Sequence, residues 1–106
     1  MDILNEYIFR VLKKTEFDEF ERCGEFRGNK LDIESGYIHL STASQVDGTI
    51  NKYFNLEREL IVLKFKSLNL GSFLKWEESR NSMFFPHYYG ILRFSWIKDI
   101  EKKFNL

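Results

Sequence analysis

The chain is organised around residues 36–42, which read Gly-Tyr-Ile-His-Leu-Ser-Thr. The apolar and aromatic alternation around His39 predicts a strand, and the hydroxyl pair Ser41 and Thr42 predicts the start of a helix. Thr42 and Gln45 have the spacing of a capping box. Because the free N–H groups of a helix start suit an anion, we expect a ligand contact near His39. The alternative is an ordinary strand histidine followed by two capping residues.

Four further stretches predict the strands of a sheet. Residues 7–12 are apolar except for Arg10, which should meet a carboxylate or an anion because an unpaired buried guanidinium is costly. Residues 60–65 begin with four consecutive aliphatic residues, Leu60 to Leu63, and predict a central strand that is covered on both faces. Residues 74–77 predict a short strand. Residues 91–104 alternate poorly and favour a strand, with a helix as the alternative because of their Lys and Glu content.

Two helices and a loop complete the expected fold. A short amphipathic helix begins at Thr15 and ends before Gly24, with Cys23 near its end in a packing role. The helix after Thr42 carries an apolar stripe formed by Ala43, Val46, Ile50, Tyr53 and Phe54. Residues 25–35 are polar and contain turn formers, so they predict a loop that crosses the sheet. The strands and helices together predict an α+β fold.

Composition limits the possible partners and location. The 106 residues predict one domain, and 16 basic against 16 acidic residues give no net field to attract nucleic acid or an anionic membrane. A single cysteine excludes an internal disulfide. We expect no secretory signal in residues 1–7 and no transmembrane helix, and therefore a cytoplasmic location. The sequence leaves the oligomeric state open.

Residues 75–90 form a second informative stretch around the only proline of the chain. They place polar donors among aromatic rings, as a pocket for a flat, hydrogen-bonding ligand requires. The candidate residues of this stretch are Trp76, Glu77, Ser79, Arg80, His87 and Tyr89. We predict that His39, Trp76 and His87 line one concave site. The alternative is that Trp76 and Tyr89 are ordinary aromatic residues of the core or its rim and that His87 is solvated. The two histidines lack the spacing of a metal site, so we expect no metal.

Three motifs in order carry a resemblance to a known family. They are Gly-Tyr-Ile-His-Leu-Ser at 36–41, Trp-Glu-x-Ser-Arg at 76–80 and Phe-Pro-His-x-Tyr-Gly at 85–90. The chain resembles the small bacterial family known as domain of unknown function 952 over nearly its whole length. The resemblance implies a fold similar to that of the ADP-ribosyltransferases. That fold is a compact α+β domain with a bent, split, mainly antiparallel sheet and a cleft that holds NAD in the enzymes.

The resemblance also implies roles for individual residues. His39 would hydrogen-bond the adenosine-side ribose, with Ser41 and Thr42 beside the nicotinamide half, and Arg10 would face a phosphate. The interpretation of residues 75–90 as a pocket adds Trp76, Ser79, Arg80 and Tyr89 as further ligand contacts. The catalytic candidates are Glu77 and His87, and a carboxylate such as Glu77 would stabilise an oxocarbenium-like ribose as the nicotinamide–ribose bond breaks.

The resemblance leaves the reaction open. No residue matches securely the late-strand glutamate that many transferases use. Four alternatives therefore remain. They are ADP-ribosyl transfer, NAD glycohydrolysis, a reaction similar to that of the RNA 2'-phosphotransferases, and binding without turnover. We expect a small-molecule ligand, namely NAD or a related ADP-ribose-containing or 2'-phosphorylated nucleotide. The opposing possibility is a non-catalytic module that binds a nucleotide or a protein.

Overall fold

The strand predicted at residues 60–65 is the middle of a three-stranded antiparallel sheet. It is β4 (Glu59–Lys66), which pairs with β1 (Tyr7–Lys13) on one side and β8 (Ile97–Phe104) on the other. Its side chains alternate between two separate hydrophobic cores. Ile61, Leu63 and Phe65 enter the larger core, and Leu60 and Val62 enter the smaller one. The expectation that both faces of this strand are covered is confirmed.

Two more antiparallel sheets complete the computed structural model, which describes residues 5–104. One sheet has the order β3 (Ile38–His39), β6 (Phe84–Tyr88), β5 (Leu74–Glu78), and the other pairs β2 (Glu25–Phe26) with β7 (Leu92–Arg93). The described part leaves out residues 1–4 and 105–106. Residues 1–4 belong to the segment where we expected no secretory signal. The single-domain α+β prediction is confirmed.

A backbone bridge joins two of the sheets. Phe9 on β1 and Ser41 just after β3 exchange two N–H to carbonyl hydrogen bonds of 2.8 and 2.9 Å. This bridge fixes the end of the His39 strand against the strand that carries Arg10. The side chains of the central motif and of the first strand are therefore brought together by backbone pairing.

The helices are short. They are α1 (Lys14–Cys23), α2 (Lys30–Ser35), α3 (Val46–Tyr53) and α4 (Ser67–Leu70), with 3-10 turns at Ala43–Gln45, Gly71–Phe73, Arg80–Ser82 and Phe94–Trp96. The predicted stop at Gly24 is confirmed, because its φ of 81° places it in the left-handed region. Among the described residues, no helix has the length and apolar character that crossing a membrane requires.

The residues after Thr42 form the predicted helix with two differences. The first difference is the 3-10 turn, which precedes α3. The predicted capping box is present, because the side-chain oxygen of Gln45 accepts the backbone N–H of Thr42 at 3.0 Å. Val46, Ile50 and Phe54 are buried against β1 and β4. The remaining two members of the predicted stripe, Ala43 and Tyr53, are exposed, so the buried stripe is narrower than expected.

Two predictions about the local structure are wrong. Residues 25–35 are not a loop, because Glu25–Phe26 pairs with β7 and residues 30–35 form α2. A capping box opens this helix. The Asn29 side chain accepts the Asp32 N–H, and the Asp32 carboxylate accepts the Asn29 N–H. Cys23 does not pack in the core. It is exposed at the end of α1, where its thiol donates to Glu19.

Candidate functional site

A cavity of about 360 Å³ lies where β1, β3 and β6 meet α2 and α3. Its volume falls within the range of small-molecule sites, about 300 to 1,000 Å³. Side chains that matter for its chemistry include Arg10, Asp32, His39, Thr49, Arg80 and His87. Residues 36–42 and 75–90 both contribute to it, so the two stretches singled out in the sequence meet in one place.

Arg10 and Asp32 form a buried ion pair on one wall of the cavity. Arg10 Nη2 lies 2.8 Å from Asp32 Oδ2 and Nη1 donates to Oδ1 at 2.9 Å, and both side chains are at most 5 % exposed. The expectation that Arg10 meets a carboxylate is confirmed. Burial alone would raise the pKa of Asp32, but the hydrogen bond from His39 and the charge of Arg10 hold that pKa well below its usual range.

Gly28 allows the chain to pass close to this carboxylate. Its φ of +113° favours glycine, and a Cβ built at this position would lie 2.7 Å from the Cβ of Asp32. Because that distance is shorter than real carbon contacts, any larger residue at position 28 would displace the Asp32 side chain. The glycine and the Asn29 cap together fix the position of the carboxylate.

Asp32 in turn fixes the ring of His39. The ring Nδ1 lies 2.7 Å from Asp32 Oδ1, and the backbone N–H of His39 donates to the same oxygen at 3.0 Å. Arg10 Nη1 donates to the carbonyl of His39 at 2.9 Å. The His39 side chain remains 27 % exposed. A carboxylate at Nδ1 therefore leaves the other ring nitrogen, Nε2, for a ligand.

His87 has an equivalent arrangement with a different carboxylate. Its Nδ1 lies 2.7 Å from Glu77 Oε1, and the Tyr89 hydroxyl donates to the same oxygen at 2.7 Å. The ring of Tyr37 stacks on the imidazole with centroids 4.0 Å apart. Burial lowers the pKa of His87, although Glu77 acts in the opposite direction.

The Tyr89 hydrogen bond affects both of its partners. It is the main cause of a lowered pKa at Glu77, to which His87 also contributes. The same bond raises the pKa of Tyr89 to about 12. Glu77 therefore stays ionised near neutral pH, with one oxygen occupied by both donors.

The two imidazoles lie close to each other in the cavity wall. His39 and His87 are direct partners in the β3–β6 pairing, and their ring centroids are 5.7 Å apart. Neither Nε2 has a hydrogen-bond partner among residues 5–104. Since Arg10 Nε is the only buried side-chain nitrogen or oxygen without a partner in this range, both Nε2 atoms keep some accessible area, although the His87 side chain as a whole is only 4 % exposed.

A cation and two hydroxyls occupy another part of the lining. Arg80 donates to Thr49 Oγ1 at 2.9 Å and to the Gly48 carbonyl at 3.2 Å, and Thr49 Oγ1 lies 2.8 Å from Ser41 Oγ. The guanidinium lies 4.5 Å from the centroid of the Phe85 ring. No carboxylate of the described chain forms an ion pair with Arg80.

The structure brings together some of the residues predicted for the site and separates others. The cavity lining includes Arg10, His39, Ser41, Ser79, Arg80 and His87. Trp76 is not with them: it packs against the larger core, because side chains alternate along β5 and it points away from the face of Glu77. Thr42 and the 3-10 turn after it do not line the cavity, so the expected anion contact of that helix start is absent from its lining. Glu77 and Tyr89 lie behind His87.

Several important residues were not predicted. Asp32, Tyr37, Thr49 and Phe85 all contribute to the cavity or its histidines. The Asn29-x-x-Asp32 spacing was a detectable signal for a helix start, and Tyr37 shares the face of His39 by strand alternation. Nothing in the local sequence indicates that Asp32 would reach Arg10, 22 residues earlier. Within residues 5–104, no three His, Cys, Asp or Glu side chains are grouped as a metal site.

Comparisons with known proteins identify one family and one protein of known structure. The profile of the family described as protein of unknown function (DUF952) matches residues 11–100. The crystal structure of protein CC0527 from Caulobacter crescentus is similar, with 34 % identity, a TM-score of 0.86 and coverage of 91 % of this chain and 84 % of that chain. The solution NMR structure of CC0527 gives a TM-score of 0.80 at 34 % identity, covering 91 % and 83 % of the two chains. No curated protein matches the chain significantly.

Proposed function

The chain belongs to the DUF952 family, and we propose that it binds a nucleotide in the cavity that contains His39 and His87. The proposed ligand is NAD or a related nucleotide that contains ADP-ribose or a 2'-phosphate. Its phosphate would contact Arg80, and its ribose hydroxyls would contact the accessible Nε2 atoms. The proposal is supported by the charge, the donors and the aromatic rings of the cavity.

Arg80 carries this proposal. A guanidinium has five N–H donors in a planar fork that matches phosphate. Arg80 uses some of them on neutral oxygens of Gly48 and Thr49, and it has no ion pair within the described residues. Arg10, in contrast, uses both terminal nitrogens on Asp32 and the His39 carbonyl, and its one unpartnered nitrogen, Nε, is buried. The phosphate contact first assigned to Arg10 is therefore better assigned to Arg80.

The other lining residues complement an anionic, partly aromatic ligand. Four basic and two acidic side chains line the cavity, although the chain as a whole has a net charge of zero. Tyr53 and Phe85 offer ring surfaces against which a base can stack. His39 Nε2 can donate to or accept from a ribose hydroxyl, depending on its tautomer.

The choice of NAD and ADP-ribose comes from the ADP-ribosyltransferase-like fold that the family resemblance implies. We propose that the split antiparallel sheet corresponds to that fold, with the cavity in the place of the NAD cleft. Cleavage of the nicotinamide–ribose bond is not included in the proposal. The carboxylate suggested for it, Glu77, lies outside the lining and accepts from both His87 and Tyr89.

Calorimetric titration tests the proposal. The full chain is titrated separately with NAD, ADP-ribose and a 2'-phosphorylated oligonucleotide, with unmodified ribose as the control ligand. We expect saturable binding of at least one of the three nucleotides and none of ribose, because the phosphate contact supplies much of the affinity. Absence of heat with all three nucleotides at millimolar concentration would remove the nucleotide proposal.

A further inference from the structure

The two histidines have the arrangement of an acid–base pair. Each ring is held at Nδ1 by its own carboxylate, Asp32 for His39 and Glu77 for His87. Each presents an accessible Nε2, and the two rings are neighbours at 5.7 Å in one cavity. Two imidazoles that are neighbours on paired strands can both reach the atoms of one small reacting group.

The carboxylates near the cavity are all engaged. Asp32 accepts from Arg10 and His39, and Glu77 accepts from His87 and Tyr89. Glu16 accepts the Lys13 N–H and lies within reach of the Asn29 side chain. The two lysines of the lining are also paired, Lys13 with Glu57 at 3.9 Å and Lys30 with Glu34 at 4.0 Å. Among the ionisable groups of the described lining, those without a carboxylate to neutralise them or with a ring nitrogen left over are the Arg80 guanidinium and the two imidazoles. This set is suited to proton transfer at a phosphate ester and is poorly suited to stabilising a ribosyl cation.

We propose that the protein hydrolyses the cyclic phosphodiester of a nucleoside 2',3'-cyclic phosphate, with His39 and His87 as general acid and general base and Arg80 on the phosphate. This inference rests on the proposed nucleotide site and names its substrate class. A cyclic diester carries one negative charge, which matches the single charge of Arg80, a guanidinium without an ion pair among residues 5–104. The cavity volume suits a mononucleotide, and the balanced charge of the chain gives no field to collect a polymer.

The step balances as the addition of one water molecule. Nε2 of His87 accepts a proton from water as the water oxygen bonds to phosphorus. The bond from phosphorus to one ribose oxygen breaks, and that oxygen takes the proton of Nε2 on His39. The product is a nucleoside 2'- or 3'-monophosphate, and exchange of both protons with solvent restores the pair. The 2'-monophosphate belongs to the ligand class already proposed.

The environment of the rings supports this division of roles. Burial lowers the pKa of His87, which keeps this ring neutral and able to accept a proton near pH 7. The titratable groups that contact it are Glu77 on β5, His39 on β3 and Tyr37 just before β3. Asp32 stays ionised beside His39, where it can accept the Nδ1–H while Nε2 gives up its proton.

The test is to incubate the full chain with adenosine 2',3'-cyclic phosphate and follow the products by phosphorus NMR. We expect conversion to adenosine 2'- or 3'-monophosphate with a bell-shaped pH profile. His39→Gln and His87→Gln should each lower the rate about a hundredfold to ten-thousandfold and remove one limb of the profile. Cys23→Ser, at an exposed thiol outside the cavity, should leave the rate unchanged. Circular dichroism and nucleotide titration establish that the variants fold and bind.

The outcomes separate the inference from the proposed function. Saturable nucleotide binding without product after prolonged incubation overturns the hydrolysis and leaves the binding site standing. A histidine variant that folds, binds and keeps the wild-type rate also overturns it. If neither binding nor product is detected, both proposals fail.

Discussion

Replacing Asp32 by asparagine is expected to lower the free energy of unfolding by about 3 to 5 kcal/mol. The substitution keeps the size of the side chain but leaves the Arg10 guanidinium buried without a counter-charge, and removing one partner of a buried pair has a cost of this order. Both side chains are at most 5 % exposed, so water cannot replace the lost carboxylate. The measurement is urea unfolding at neutral pH, followed by circular dichroism.

Asp18→Asn is the matched control for this prediction. Asp18 also faces a basic side chain, Lys14 at 2.6 Å, but this pair is exposed on α1. Exposed pairs contribute little to stability, so the control should unfold close to the wild type. Equal unfolding midpoints for Asp32→Asn, Asp18→Asn and wild type would contradict the buried pair.

The same carboxylate predicts a loss of stability in acid. Because the pKa of Asp32 is lower in the folded protein than in the unfolded chain, its contribution is fully present above the unfolded pKa of about 3.9. The contribution is lost as the pH falls below that value towards the folded pKa. Asp32→Asn should therefore show a weaker decline of stability than the wild type over this acidic range.

Arg80→Ala is expected to weaken nucleotide binding about tenfold to a hundredfold. Hydrogen bonds to charged groups contribute about 1.5 to 3 kcal/mol, and Arg80 is the lining guanidinium that is not occupied by a carboxylate within the described residues. Its loss removes the phosphate contact while the histidines stay in place. Calorimetric titration of wild type and variant with the tightest-binding nucleotide measures the difference.

Arg58→Ala provides the control for Arg80. Arg58 is exposed and does not line the cavity, so removing it changes the net charge by the same amount without affecting the proposed contact. We expect its affinity to remain within about twofold of wild type. If both arginine variants weaken binding equally, the effect comes from overall charge, and the assignment of Arg80 to the phosphate fails.

The elements with strong periodicity were predictable from the sequence. β4 followed from its run of aliphatic residues, and the strand and capped turn around His39 followed from alternation and from the spacing of Thr42 and Gln45. The meeting of His39 and His87 was also expected, because both motifs combine polar donors with aromatic residues. These signals are local, so the sequence carries them directly.

The parts that failed depend on contacts between distant segments. The polar residues 25–35 predict a loop by composition, yet β2 is created by its partner β7 and α2 by a single capping box. Trp76 was expected in the site because it lies beside Glu77, but in a strand adjacent side chains face opposite sides. The pairing of Asp32 with Arg10 depends on tertiary structure, and no local pattern indicates it.

The most direct test of the central claim is the nitrogen NMR spectrum of the two imidazole rings during titration with ADP-ribose. The chain has only two histidines, His39 and His87, so their side-chain signals can be assigned by one substitution. If the cavity binds the nucleotide, the Nε2 signals of both rings should shift in a saturable manner with the same dissociation constant as the calorimetric titration. Saturable heat without movement of either imidazole signal would place the nucleotide elsewhere and contradict the account.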